Sequence, residues 1–201
     1  MTLRIFTAAL SVFFCTTAMA YEGSSYEVVF RAEGFEVRHY PERVVAEVAY
    51  SGENSGFRTL FGYISGNNKT ARAVEMTTPV TQSTKIEMTT PVTQTRADDQ
   101  MVMQFFLPAF FTLKTAPEPT DPAITIRALA SGHFAVIRYS GRANDRNFET
   151  HRKRLLDELH ASGLTPLGPA IRATYNGPFT PPFLRRNEAM YRIKWQQKYT
   201  L

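Results

Sequence analysis

Cysteine is almost absent from this chain. Its 201 residues include one, Cys15, and that one falls in an N-terminal segment that reads as a removable leader. Arg4 is the only charge in residues 1–20, an apolar run extends from Ile5 to Phe14, and Ala18-Met19-Ala20 closes the segment. A charged start, an apolar middle and a small-residue cleavage site are the signs of an export signal. The run is too short to span a bilayer, and Phe13-Phe14 lacks the small residues that precede a lipid-modified cysteine. The expectation is a cleaved leader over 1–20 and a single domain over 21–201, periplasmic or secreted, with no stable membrane insertion once the leader is gone. Such a domain carries no cysteine, which excludes disulfides, thiolate nucleophiles and Cys-based metal sites.

Charge of one sign is also scarce. With Arg4 removed from the 23 basic residues, 22 stand against 18 acidic ones, a net charge of +4. That balance favours an anionic ligand or surface but is far from the signature of a nucleic-acid binder, so no nucleic-acid partner is expected. Catalytic motifs are missing too. There is no Ser-His-Asp order, no G-x-S-x-G, no P-loop and no dinucleotide fingerprint. The four histidines, His39, His133, His151 and His160, include no i, i+4 pair with a third ligand nearby. No enzymatic activity is therefore expected from these motifs, and any partner protein is unspecified.

What the chain does have is an octapeptide written twice. Glu75-Met76-Thr77-Thr78-Pro79-Val80-Thr81-Gln82 recurs as Glu87-Met88-Thr89-Thr90-Pro91-Val92-Thr93-Gln94, 12 residues later. Two copies are too few for a solenoid, so this is a local duplication inside one domain. Around it, strands are expected at 26–30 and 35–40 and at Val44–Tyr50, where apolar residues alternate. Phe57, Leu60, Phe61 and Ile64 lie at i, i+3, i+4 and i+7, one face of a helix ended by Gly66. Further strands are expected at 101–107, 124–129, 133–139, 171–175 and 190–195. A second helix is expected over 145–161, with Phe148, His151, Leu155, Leu156 and Leu159 as its stripe and Gly163 at its end.

A weaker echo ties the halves together. Ala46-Glu-Val-Ala-Tyr50-Ser51-Gly52 is similar to Ala135-Val-Ile-Arg-Tyr139-Ser140-Gly141, each at the end of a strand and leading into a helix. The fold class expected is α+β. Hairpin-linked antiparallel strands would form a pseudo-twofold duplicated, β-barrel-like sheet flanked by two helices, with an open apolar recess where the halves meet.

Taken together, Tyr26-Glu27-Val28, the run Phe35-Glu-Val-Arg-His-Tyr-Pro41, Gly56-Phe57 with Leu60 and Tyr63-Ile64, both Met-Thr-x-Pro-Val copies, Phe106-Leu107-Pro108 and Leu184-Arg-Arg-Asn-Glu188 resemble the SOUL haem-binding protein family. The resemblance covers nearly all of residues 24–196, and the doubled Met-Thr-x-Pro-Val block is similar to bacterial members. It implies non-covalent binding of haem or a related porphyrin, as a buffer or carrier. C-type covalent attachment is excluded because C-x-x-C-H is missing. Similar duplicated folds also serve as small-molecule sensors, so an interaction module without haem is the alternative.

The resemblance makes His39 the candidate metal ligand, since haem iron takes an imidazole nitrogen. Alternation puts it with Phe35 and Val37, and puts Tyr40, a second residue type that binds ferric haem, on the opposite face. Met76 and Met88 open the two repeat cores and are candidate pocket linings. Phe57, Leu60, Phe61 and Ile64 offer an apolar face that either packs on the sheet or borders a ligand. Arg38, Arg185 and Arg186 are candidates for propionate carboxylates, which guanidinium groups pair with well.

Overall fold

The computed structural model describes residues 23, 25–51, 55–69, 83–97 and 100–196. The first half contains β1 (Glu27–Arg31), β2 (Glu36–Tyr40), β3 (Arg43–Tyr50), α1 (Ser55–Ile64), β4 (Asn68–Lys69), β5 (Val92–Ala97) and β6 (Gln100–Phe106). The second contains β7 (Glu118–Pro119), β8 (Ile124–Leu129), β9 (Gly132–Tyr139), α2 (Asp145–Ala161), β10 (Ile171–Thr174) and β11 (Asn187–Ile193). The elements expected from periodicity are present, with the last strand starting earlier than the sequence suggests.

Nine strands form one sheet in the order β1-β2-β9-β11-β10-β5-β6-β3-β8, and β4 pairs with β7 separately. Leaving β1 aside, the order is a palindrome about the β10–β5 ladder. Exchanging β2 with β8, β3 with β9, β5 with β10 and β6 with β11 reproduces it. The duplication read from the sequence is thus a real pseudo-twofold of the sheet. The expected hairpins hold only in part: β1–β2, β5–β6 and β10–β11 pair in succession, but β2–β3 and β8–β9 do not. β2 and β3 flank Pro41-Glu42 but do not pair; β2 pairs with β9, and β3 pairs with β8 and β6. Each half lends its first strand to the other.

This exchange bends the sheet. A two-residue link reaches about 11 Å at most. In a flat sheet β2 and β3 would stand six strand spacings, about 29 Å, apart. The links at Pro41-Glu42 and Ala130-Ser131 therefore force the sheet to curl until its ends approach. The sequence suggests a barrel-like sheet, and the sheet curls accordingly, but it does not close into a barrel, because no ladder joins β8 to β1 or β2.

Register makes the halves comparable residue by residue. The echo aligns Glu47 with Val136; Glu47 pairs with Thr125 and Val136 with Glu36. Thr125 is then the counterpart of Glu36, and Arg127 that of Arg38.

Both helices cover the same, outer face. Leu60, Tyr63 and Ile64 of α1 pack on Val44, Ala46, Val48, Met103 and Phe105. Phe148, Leu155 and Leu159 of α2 pack on Val37, Ala135, Ile137, Ala189 and Tyr191. Each such buried side chain contributes about 1.5–3 kcal/mol. Asn144 caps α2 by accepting from the Asn147 N–H at 3.0 Å, and Gly163 takes φ +68 beyond its end.

The α1 stripe differs from expectation. The helix buries Gly56, Leu60, Tyr63 and Ile64, while Phe57 and Phe61 are 41% and 48% exposed and stack on each other with ring centres 5.9 Å apart. Two local contacts turn the helix this way. Gly56 meets the Tyr50 ring so closely that a Cβ there would lie 2.9 Å from it. The Tyr63 hydroxyl, facing inward, donates to the Pro117 carbonyl at 2.8 Å.

Candidate functional site

The sheet face opposite the helices turns inward, and there the expected recess is filled. Arg38 is 2% and Glu188 0% exposed. Arg38 donates to both Glu188 carboxylate oxygens at 2.9 and 3.1 Å, to Tyr40 at 3.1 Å and to Glu36 at 2.6 Å. Arg186 donates to Glu188 at 2.7 and 2.9 Å and lies over the Tyr175 ring. The Tyr175 hydroxyl donates to the same carboxylate at 2.7 Å. Burial alone would lower the Arg38 guanidinium, but its hydrogen bonds to Glu188 and that carboxylate's charge more than reverse this. Burial, then the Glu188 charge, pushes the Tyr175 phenol up. Arg43 slots against the Tyr40 and Phe106 rings, and burial lowers it to about 10. A cavity of about 40 Å³ remains among Tyr40, Arg43, Phe106, Phe134 and Met190, enough for about one water and far short of a tetrapyrrole.

Several candidates are thereby corrected. Arg38 is not a solvent-facing arginine open to a propionate; its donors are spent on protein acceptors inside the curled sheet. Tyr40 is buried beside it, on the face opposite His39, as the alternation implies. Arg186 is held by Glu188, and Arg185 donates to the Thr180 and Pro178 carbonyls, bracing the proline-rich loop. Met88 is half-buried and packs against the α1 core; Met76, with the first octapeptide copy, lies outside the described residues. Leu60 and Ile64 are core. His39 faces His133 across β2 and β9, ring centres 4.9 Å apart. His151 is structural, stacked on Tyr139 with ring centres 4.1 Å apart and with Nδ1 2.8 Å from the Asn147 carbonyl.

The open site lies on the outer face, at the pseudo-twofold, where α2 and the end of β3 flank the β10–β5 ladder. It is a cleft of about 1070 Å³. Tyr50, Met101 and Phe148 supply its apolar surface; Arg96, Arg146, Arg152 and Arg172 supply charge, set against Asp145 and Glu149. Arg172 donates to Asp145 at 2.6 Å and rests on the Phe148 ring. Arg152 donates to Glu149 at 2.7 Å and to the Tyr191 hydroxyl at 3.0 Å. Two of the four arginines therefore have carboxylate partners in the cleft wall, and the lining keeps a surplus of two positive charges. Burial raises the Tyr50 phenol, countered in part by Arg172. Such a lining suits a flat apolar body with acidic substituents.

None of these cleft residues stands out in the sequence, because five separate elements supply them. The usable signal was the echo that ends in Tyr50. Equating the halves puts β5 beside β10 and brings Gln94 opposite Arg172. Among the described residues no group of three or more His, Cys, Asp or Glu can hold a metal ion, and no helix is long and apolar enough to cross a membrane.

A two-helix, pseudo-twofold curled sheet with a cleft at its axis defines the class of protein. Residues 21–192 match the SOUL heme-binding protein family, and the chain belongs to that family. No curated protein matches the chain. Among solved structures it is similar to a hydrolase from Listeria innocua, with 10% identity and TM-score 0.54 over 83% of this chain and 94% of that one. The EcmrR C-terminal domain aligns with 10% identity and TM-score 0.54, over 85% of this chain and 99% of that one. An uncharacterized conserved protein from Listeria innocua aligns with 11% identity and TM-score 0.54, over 80% and 92%. At such identity the likeness is one of fold alone.

Proposed function

We propose that the chain binds haem or a related tetrapyrrole non-covalently, outside the cytosol after loss of residues 1–20, in the cleft between α2 and the central strands. Membership of the SOUL family supports the ligand class. The observation that carries the location is the match of size to charge. The cleft of about 1070 Å³ stands at the large end of small-molecule sites, roughly 300–1,000 Å³, whereas the interior is packed. Its arginine rim suits propionates, and its Tyr50, Met101 and Phe148 surface suits the ring. Tyr50 and Met101 bring to the cleft the phenol and thioether that can ligate haem iron. The role is holding and release rather than catalysis.

The test is an absorbance titration of hemin into the mature chain. The expected result is a Soret shift that saturates near one equivalent. The double variant Arg96→Glu, Arg146→Glu should weaken binding about tenfold, and Tyr50→Phe or Met101→Leu should move the band. If His39→Ala moves the band and the cleft variants do not, the iron sits at β2 instead. If no saturable shift appears, while another amphipathic anion gives one that the arginine variants weaken, the chain is a sensing module without a haem role.

A further inference from the structure

Two of the four histidines face each other with nothing else to do. His39 and His133 are direct partners in the antiparallel β2–β9 ladder, so both side chains leave the same face of the sheet. Their ring centres are 4.9 Å apart at an interplanar angle of 42°, and both are half-buried. Among the described residues neither ring takes part in a hydrogen bond, unlike His151, whose Nδ1 is tied to the Asn147 carbonyl. Neither lines the cleft or the internal cavity. Glu27, exposed on β1, is the ladder partner of His39 on its other side. Glu27, His39 and His133 thus form one cross-strand row of a carboxylate and two imidazoles.

The spacing discriminates between kinds of metal site. A metal–nitrogen bond is about 2.1 Å, and the ring centre lies about 1.1 Å beyond the nitrogen. Two imidazoles on one ion at an angle of about 90–110° then have ring centres about 4.5–5.2 Å apart, whereas two on opposite sides of an iron stand about 6.4 Å apart. The pair falls in the first range. That spacing is too close to sandwich a haem iron and matches a bare ion held from one side.

We propose that His39 and His133 form a two-imidazole chelate for a divalent copper ion, with water completing the coordination. Two nitrogens and oxygens in a tetragonal array are the set copper(II) favours, and copper heads the divalent affinity order. The site is separate from the cleft and stands whether or not the cleft holds a tetrapyrrole.

The experiment is a copper(II) titration of the mature chain against a competing chelator, read by calorimetry and by electron paramagnetic resonance, with no haem present. One ion per chain should bind, with hyperfine structure from two nitrogen ligands. His39→Ala and His133→Ala should each weaken binding about tenfold or more, because even residues that only support a ligand cost that much. His160→Ala should not weaken it at all. His39→Asn serves as a second variant should the alanine chain fail to fold, which circular dichroism reports. Binding that survives both histidine substitutions, a spectrum without nitrogen coupling, or no saturable binding each overturns the proposal. Hemin titration of the same chains is a separate readout, so failure of the copper site and failure of the cleft reading are told apart.

Discussion

Arg38 and Arg127 hold equivalent places in the two halves, but their surroundings are opposite. Arg38 is 2% exposed and paired with Glu188; Arg127 is 54% exposed and paired with Glu47 at 2.9 Å. One position thus carries a buried ion pair in one half and a surface pair in the other. Glu188 is the acceptor for two guanidinium groups and one phenol.

Removing the Glu188 charge takes from Arg38 and Arg186 the buried carboxylate they share and leaves Arg38 with Glu36 as its carboxylate partner. Glu188→Gln should therefore cost about 3–5 kcal/mol, the penalty for breaking a buried pair from one side. Arg127→Ala should cost about 1 kcal/mol or less. Urea unfolding of both variants checks this. Equal losses would show that the equivalent positions are energetically alike and that the burial difference counts for nothing.

Gly56 sets how near α1 lies to β3. A Cβ there would sit 2.9 Å from the root of the Tyr50 ring, which has no free end to swing aside. Gly56→Ala should destabilise by about 1–3 kcal/mol through overpacking, despite alanine's better helix propensity. Because Tyr50 also lines the cleft, hemin affinity should fall in the same variant. A stabilised chain with unchanged affinity would refute the close approach.

High pH should unfold the protein through its phenols. Burial raises Tyr40, Tyr50, Tyr63, Tyr139 and Tyr175, and Tyr139 from 10.0 to about 12. A raised phenol binds its proton more tightly in the fold than in the open chain. Its contribution to stability is complete below pH 10 and is lost as pH rises toward 12. Tyrosinate absorbance and circular dichroism, followed together, should show late ionisation coinciding with loss of structure. Ionisation near pH 10 with the fold intact would contradict this.

Local features were readable in the sequence to the extent that nearby residues determine them. The span of α2 follows from its stripe and Gly163, both within one stretch of chain. The echo ending in Tyr50 and Tyr139 identified β3 and β9 as counterparts. Pairing was not readable, because Pro41-Glu42 looks the same whether its strands form a hairpin or part company. That one ambiguity misplaced Arg38. Alternation put Tyr40 opposite His39, and Arg38 shares the face of Tyr40; a propionate partner needs that face open, and it becomes the interior once the sheet curls. The cleft was hidden for a related reason. Tyr50, Met101, Phe148 and Arg172 are far apart in sequence and meet only through the non-local β5–β10 ladder.

The strand exchange also governs how the chain can be divided. A cut in the segment before β8 would leave each fragment missing a strand that only the other can provide. Neither piece alone should form a sheet, yet the two mixed together should reassemble as a complementing pair, the cleft returning only when both are present.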